Sequence, residues 1–316
     1  MRFSRGKSST ARQPSRLLIA TASAGLIATV SWDLVRSEGA GWNDRLVLLQ
    51  QFESGQYGHL GEHHWLDFVV DHALWYRAVE GAASVLGGFK STLGLLSFLT
   101  ATVYAVSVLS VSIRLLPLLF VPMQIDLFDT QIRSACAGAV LLAAFRSNSA
   151  VTAMLLAVVS MSIHSMAVLL ILLWLSAVFI EKSCDKLSPR SSHIASSSAV
   201  FLCGGVALPL AIDSALNRSV PQDYSISVMV FCLTLFVLGL LASARNQADR
   251  LTLFVLMVLL IIVSGGPLGL GLQRLLPITM PWVALVFVRF SIPYRVVVCG
   301  VCLFAQSYWT VKWASG

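Results

Sequence analysis

Long apolar segments separated by short polar breaks run from Leu17 to the end of the chain. A bilayer core is about 30 Å thick and needs about 20 apolar residues in a spanning helix, and a helix satisfies its own backbone polar groups in lipid. We predict eleven segments, several of them short, at residues 17–32, 91–112, 115–125, 131–145, 149–163, 165–181, 196–214, 226–243, 251–272, 275–289 and 295–311. The pattern predicts an all-α, polytopic integral membrane protein with about 10 or 11 transmembrane or re-entrant helices in one domain, 1–316.

Two segments depart from a plain membrane helix. The stretch 115–125, LLPLLFVPMQI, is short and contains Pro117 and Pro122, which predicts a broken or re-entrant helix. Residues 33–90 form the longest outer loop, and its second half has apolar positions near helical spacing, at Leu66, Val69, Val70, Ala73, Leu74 and Val79. We predict an amphipathic helix on the outer membrane surface, anchored by Trp65, Trp75 and Tyr76.

Composition and charge agree with a membrane protein. The chain of 316 residues is 57% hydrophobic and 12% charged, and its mean hydropathy is +0.80. A net charge of +7 would suit nucleic acid, but the basic residues are dispersed between apolar segments, so we expect no nucleic acid partner. Five of the six cysteines lie in apolar segments, which gives no sign of a disulfide framework.

The charge distribution predicts the topology. The tail 1–16 carries five basic residues and no acid, which predicts a cytoplasmic N-terminus and an uncleaved anchor. A cleavable signal peptide is the alternative, since Ala22-Ser23-Ala24 resembles a cleavage site, but the preceding apolar stretch is only Leu17–Ala20. If every segment crosses, 14 of 22 basic residues lie inside, Arg250 and Arg289 among them, and 12 of 15 acids lie outside; the exceptions are Glu181, Asp185 and Asp249.

His164 is the one titratable residue in the run Ser149–Ile180. A straight helix of these 32 residues would be about 48 Å long, well beyond the bilayer core. We therefore predict a break at Ser162–Ser165, with His164 at the outer face. The imidazole is either hydrogen-bonded to a neighbouring helix or part of a functional site, and titratable groups within membrane segments often mark such sites.

Arg133 opens another segment and is followed by the small residues Ser134, Ala135, Ala137 and Gly138, which favour close helix packing. Three roles are open for its guanidinium. It pairs with Asp126 or Asp129, it extends to the membrane surface, or it forms an anion site. The anion site is the functional alternative, because the fork of donors matches phosphate oxygens.

A glycine-rich break, SGGPLGLGLQR, presents Arg274 on the same side, where two arginines would suit a diphosphate. Asp44, Arg45, Arg77 and Glu80 in the outer loop are candidate contacts to a polar substrate, or simple surface pairs. The loop also holds His59, His63, His64, Asp67, Asp71 and His72, but HExxH and other strong spacings are missing, so we expect no metal.

The segments QIRSACAGAVLLAAF and AVVSMSIHSMAVLL, within Gln131–Leu173, resemble the EpsG/Wzy-type polymerases of bacterial surface polysaccharides. The resemblance implies a multi-helix inner-membrane enzyme that joins undecaprenyl-pyrophosphate-linked oligosaccharides at the periplasmic face, with residues 33–90 as a periplasmic loop. It implicates Arg133 and His164, and more loosely Asp44 and Arg274. In the first outer loop the family often has an acid with a tyrosine four residues later, whereas here the residue four positions after Asp44 is Leu48. A chain-length regulator of the membrane would be a candidate partner.

The implied reaction needs no cofactor. Negative charge grows on the departing pyrophosphate, and Arg133 and Arg274 would oppose it. His164 would act as the base for the acceptor hydroxyl or orient it, and direct attack would invert the anomeric configuration. Asp129 is a further candidate contact to the substrate. The alternatives are a glycan ligase and a flippase or transporter for a lipid-linked sugar.

Overall fold

The computed structural model describes residues 13–29, 44–55, 73–110, 112–129, 131–147, 149–185, 187–207, 226–243, 249–266, 268, 272 and 275–315. Every regular element in these residues is helical, which confirms the all-α prediction. Within these ranges, three helices are long and apolar enough to cross a membrane: Phe89–Leu109, Met166–Cys184 and Ile226–Ser243. The number of crossings and their orientation remain predictions.

The helices follow the apolar segments closely. They are α1 Gln13–Thr29, α2 Asp44–Ser54, α3 Ala73–Leu86, α4 Phe89–Leu109, α5 Pro122–Asp129, α6 Ile132–Arg146, α7 Ala150–Ile163, α8 Met166–Cys184, α9 Pro189–Val200, α10 Ile226–Ser243, α11 Arg250–Gly265, α12 Leu275–Phe287 and α13 Ile292–Ser315. A 3-10 helix covers Ile113–Phe120, and a π-helix covers Phe201–Ala207.

Both predicted helix breaks are present. α7 ends at Ile163 and α8 begins at Met166, so the long apolar run is divided at His164. The segment 115–125 is divided between the 3-10 helix, which contains Pro117, and α5, which begins at Pro122. Proline is favoured at the first position of a helix because its missing N–H has no partner to lose there.

The chain forms two compact units, residues 1–168 with 309–316, and residues 169–308. In the first unit α4 is central and packs against α1, α2, α3, α5 and α6. Its Ser97 hydroxyl donates to the carbonyl oxygen of Phe128 at 2.7 Å. The ring of its Tyr104 meets Phe128 edge-on, at 5.2 Å between centroids.

In the second unit α11 is central and packs against α10, α12, α9 and the π-helix. Every residue from Leu251 to Ile262 is buried, as expected of a helix that is apolar on all sides and surrounded by protein. The Phe254 ring lies edge-on to both Trp174 and Trp282, at 5.5 and 5.4 Å between centroids. By contrast, α10 exposes a stripe of Ile226, Val230, Leu233, Val237 and Leu241. A continuous apolar stripe of this kind suits contact with lipid.

The segment 33–90, predicted to be an outer loop, differs from its prediction in two respects. α3 is the described part of the predicted amphipathic helix, but Trp75 and Tyr76 are buried against the protein and do not serve as anchors at the membrane surface, while Leu74 is exposed. The earlier half of the segment, for which no helix was predicted, contains α2. Trp65 and the apolar positions 66–70 lie outside the described residues.

Candidate functional site

Arg133 lies in the first turn of α6 and contacts Tyr76 of α3. Its Nη1 donates a hydrogen bond of 3.2 Å to the Tyr76 hydroxyl, and its guanidinium carbon is 5.8 Å from the centre of the Tyr76 ring. The Tyr76 hydroxyl in turn donates to Oε1 of Gln51 on α2 at 3.3 Å. Three helices therefore hold the half-buried guanidinium in place through one polar chain.

An aromatic cluster packs around Tyr76, the middle residue of this polar chain. The ring of Phe52 meets Tyr76 edge-on at 5.6 Å and stacks on Phe89 at 4.4 Å. Trp75 is buried in the same cluster, and its indole Nε1 is buried with no hydrogen-bond partner. A buried donor without a partner costs about 1–3 kcal/mol, so this N–H is a candidate contact for a bound molecule.

His164 follows the last turn of α7 with extended backbone, at φ −153° and ψ 130°. Its backbone N–H donates to the Ser160 carbonyl at 3.1 Å, and its Nδ1 accepts from the Met166 backbone N–H at 3.1 Å. A nitrogen that accepts a hydrogen bond carries no proton, so we assign the ring proton to Nε2. The imidazole therefore has its N–H at Nε2.

Helices α6 and α7 form an antiparallel pair joined by the short connection at residues 147–149. The Ser160 hydroxyl donates to the Ala137 carbonyl at 2.9 Å. Arg133 lies four residues before Ala137, and His164 lies four residues after Ser160. Each is therefore about 6 Å along its helix axis from this hydrogen bond. Because the two helices run antiparallel, both displacements point in the same direction. The pair therefore brings Arg133 and His164 to the same level.

Packing supports the same placement. Ile132 and Ile163, the neighbours of Arg133 and His164 in the chain, belong to one buried cluster that also contains Trp75 and Tyr76. The small residues that follow Arg133 are buried, as the sequence predicted for a close helix contact. The site is thus the end of the α6–α7 pair that carries Arg133 and His164, together with the first turns of α3.

A second polar contact lies beside the start of α6. Nε2 of Gln131 donates to Oδ2 of Asp126 at 3.0 Å, and Oε1 of Gln131 is buried without a partner. The observed partner of Arg133 is thus the Tyr76 hydroxyl. Asp126, one of its predicted partners, instead accepts a hydrogen bond from Gln131. Asp129 ends α5, and its side chain lies outside the described residues.

Of the other predicted site residues, the structure describes the side chains of Arg77 and Glu80. Arg77 and Glu80 lie on the exposed face of α3, away from the buried face that carries Tyr76. Asp44 and Arg45 begin α2, but their side chains lie outside the described residues, as does Arg274. The histidines and acids of residues 59–72 also lie outside; within the described ranges, no group of His, Cys, Asp and Glu would hold a metal ion.

Comparisons with protein-family models, curated proteins and solved structures find no match to this chain. The site is therefore interpreted from its own geometry. Sequence reasoning missed Gln51, Trp75 and Tyr76 as site residues. The i, i+3 spacing of Leu49 and Phe52 was the available signal that α2 has a buried side.

Proposed function

We propose that this protein is a membrane glycosyltransferase that polymerises undecaprenyl-pyrophosphate-linked oligosaccharide repeat units. The observation that carries the proposal is the common level of Arg133 and His164 on the α6–α7 pair, one turn beyond the Ser160–Ala137 hydrogen bond. The resemblance of Gln131–Leu173 to EpsG/Wzy-type polymerases supports the same pair of residues.

Arg133 would stabilise the leaving pyrophosphate. Its guanidinium is half-buried, and Tyr76 holds it on one side, which leaves other donors of the fork for phosphate oxygens. Cations that are fixed before the reaction stabilise growing negative charge without reorganisation. Arg274 stays a prediction from its position after the glycine-rich break, because it lies outside the described residues.

His164 would act as a hydrogen-bond donor through Nε2. Of the two roles predicted from the sequence, base and orienting group, the second fits the hydrogen bond from Met166 to Nδ1. A neutral imidazole whose Nδ1 accepts a bond offers no lone pair at Nε2 for a proton. We therefore propose that His164 orients the acceptor or a phosphate oxygen, that the proton of the acceptor hydroxyl passes to the departing pyrophosphate or to water, and that the reaction needs no metal.

The proposed orientation puts the site at the periplasmic face of a bacterial inner membrane, with the N-terminus in the cytoplasm. Supporting contacts join residues that the charge distribution assigns to the cytoplasmic side. Arg250 pairs with Glu181 at 2.9 Å, and Arg289 pairs with Asp249 at 2.6 Å. Three helix ends, of α8, α11 and α12, thus meet at one level, as a consistent topology requires.

Reconstitution of the purified protein in nanodiscs tests the function. With undecaprenyl-pyrophosphate-linked repeat units as the only substrate, a polymerase produces a ladder of longer lipid-linked glycans and releases undecaprenyl pyrophosphate. A ligase requires a different acceptor for release, and a flippase moves the substrate without breaking a bond. Absence of both ladder and release, in protein that still binds the substrate, would overturn the proposal.

Deletion of the gene in its host gives an independent result. Loss of a polymerase should leave single repeat units exported to the surface, whereas loss of a flippase should stop export. A chain-length regulator, the proposed protein partner, would change the spacing of the ladder without being needed for the first bond.

A further inference from the structure

A polar pocket of ≈ 150 Å³ lies in the second unit, between the last turn of α8, α9 and the start of α11. Three carboxylates, of Glu181, Asp185 and Asp249, line it together with the hydroxyls of Ser192 and Ser196. None of the described residues that line it is basic. The pocket is therefore a negative environment, and it lies at the end of α8, a helix long and apolar enough to cross a membrane.

Two of these carboxylates are already neutralised. Glu181 accepts from both the side chain of Arg250, at 2.9 Å, and its backbone N–H, at 3.1 Å. Asp249 pairs with Arg289 at 2.6 Å and also caps α11.

Asp185 has no ion-pair partner among the described residues. Lys182, in the same last turn of α8, is exposed and does not line the pocket. Among the described side chains, two arginines pair with two of the three carboxylates, and the exposed carboxylate of Asp185 is the one left without an ion pair.

Ser192 adds a second polar group to the pocket beside Asp185. Its residue is 4% exposed and lines the pocket. Within the described part of the chain, its hydroxyl forms no hydrogen bond, whereas the neighbouring Ser196 hydroxyl donates to the His193 carbonyl at 3.1 Å. The Ser192 hydroxyl lines the pocket with no described hydrogen bond, so its oxygen can accept a bond from a polar group that enters.

We propose that this pocket binds a primary ammonium group, held by the carboxylate of Asp185 and the hydroxyl of Ser192. A primary ammonium is a compact charge with three donors, which suits one uncompensated carboxylate and a neighbouring hydroxyl oxygen. The described acids and Cys184 form no group that would hold a metal ion, which favours an organic cation. Its source is either the headgroup of an aminophospholipid or a soluble amine, and this inference is independent of the proposed transferase activity.

The test compares matched headgroups and matched free amines. The purified full chain is placed in nanodiscs of phosphatidylethanolamine or phosphatidylcholine, and in detergent it is titrated with ethanolamine or choline chloride. Melting temperature and native mass spectrometry report binding. We expect the primary amine of one pair to bind and raise the melting temperature, while its quaternary counterpart, which has no N–H donors, does not.

Variants identify the pocket. Asp185→Asn should weaken binding of the amine about tenfold or more, because a charge-assisted hydrogen bond is lost, and Ser192→Ala should weaken it by less. Lys182→Gln, in the same turn of α8, should leave binding unchanged. A response to ethanolamine indicates a soluble amine, and a response only to phosphatidylethanolamine indicates the lipid. Equal responses within both pairs, or binding that survives Asp185→Asn unchanged, would overturn the proposal.

Discussion

The Ser160 hydroxyl donates a buried hydrogen bond of 2.9 Å to the Ala137 carbonyl and thereby sets the register of α7 against α6. A shift of either helix by one turn would separate Arg133 from His164 by about 5.4 Å along the axis. The candidate site therefore depends on a bond in which neither site residue takes part.

Ser160→Ala should reduce transfer more than stability. Hydrogen bonds between membrane helices contribute about 0.6 kcal/mol on average, so we expect a small drop in the free energy of unfolding. The polymerisation rate should fall several-fold because the register is less well fixed. The control is Ser162→Ala, since the Ser162 hydroxyl donates to Val159 within its own helix. Equal rates for the two variants would contradict the role of the register.

Arg133→Gln should lower the rate of undecaprenyl pyrophosphate release by about 100-fold or more, the effect of removing a preorganised stabiliser of the leaving charge. The release rate of Arg133→Lys should lie between those of the wild type and Arg133→Gln, because lysine keeps the positive charge but loses the fork of donors. Arg146→Gln is the control: Arg146 ends the same helix, where it donates to Ser110 at 3.1 Å. If both glutamine variants lose activity equally, the loss reflects damage to α6 and not a site at Arg133.

The local features of the fold could be predicted from the sequence. Helix length against bilayer thickness required a break near His164, and Pro117 with Pro122 required another, because these limits act within a few residues. The structure has both. The small residues after Arg133 likewise predicted the buried face that α6 presents.

Contacts between residues far apart in the chain could not be predicted from the sequence. Tyr76, the partner of Arg133, lies 57 residues away. An aromatic ring with a polar tip suits a membrane surface and a half-polar protein core equally well, so Trp75 and Tyr76 were predicted as anchors. The boundary between the two compact units, within α8, could not be predicted from hydropathy either, because the apolar run continues across Val168 and Leu169.

His164→Gln and His164→Asn separate a donor from a base. The glutamine amide reaches the region of Nε2 and can donate there, whereas the asparagine amide reaches only the region of Nδ1. If His164 donates, Gln should retain a measurable part of the polymerisation rate, at least tenfold above Asn and Ala. If His164 is a base, all three variants should be equally inactive at every pH of the assay.

Trp75→Phe tests whether the indole N–H has a partner in the protein. Removing an unpartnered buried donor recovers about 1–3 kcal/mol, which offsets much of the packing lost with the larger ring. We therefore expect little change in the free energy of unfolding, together with a raised KM for the lipid-linked substrate. Tyr76→Phe is the matched comparison: its hydroxyl has two partners, so its loss should cost about 1 kcal/mol. A larger stability loss for Trp75→Phe than for Tyr76→Phe, with KM unchanged, would mean that the N–H is satisfied within the protein.

Two glycine substitutions test the packing of the second unit. A Cβ added at Gly204 in the π-helix would lie 3.0 Å from the Met257 carbonyl oxygen and 3.2 Å from its Cα, both backbone atoms of the buried α11. Because that backbone cannot yield easily, Gly204→Ala should destabilise the protein by about 1–3 kcal/mol. Gly300→Ala in α13 meets no atom within 4 Å and should stabilise by about 0.5–1 kcal/mol through helix propensity. Thermal unfolding in one detergent measures both, and a tolerated Gly204→Ala would mean that the π-helix does not approach α11 this closely.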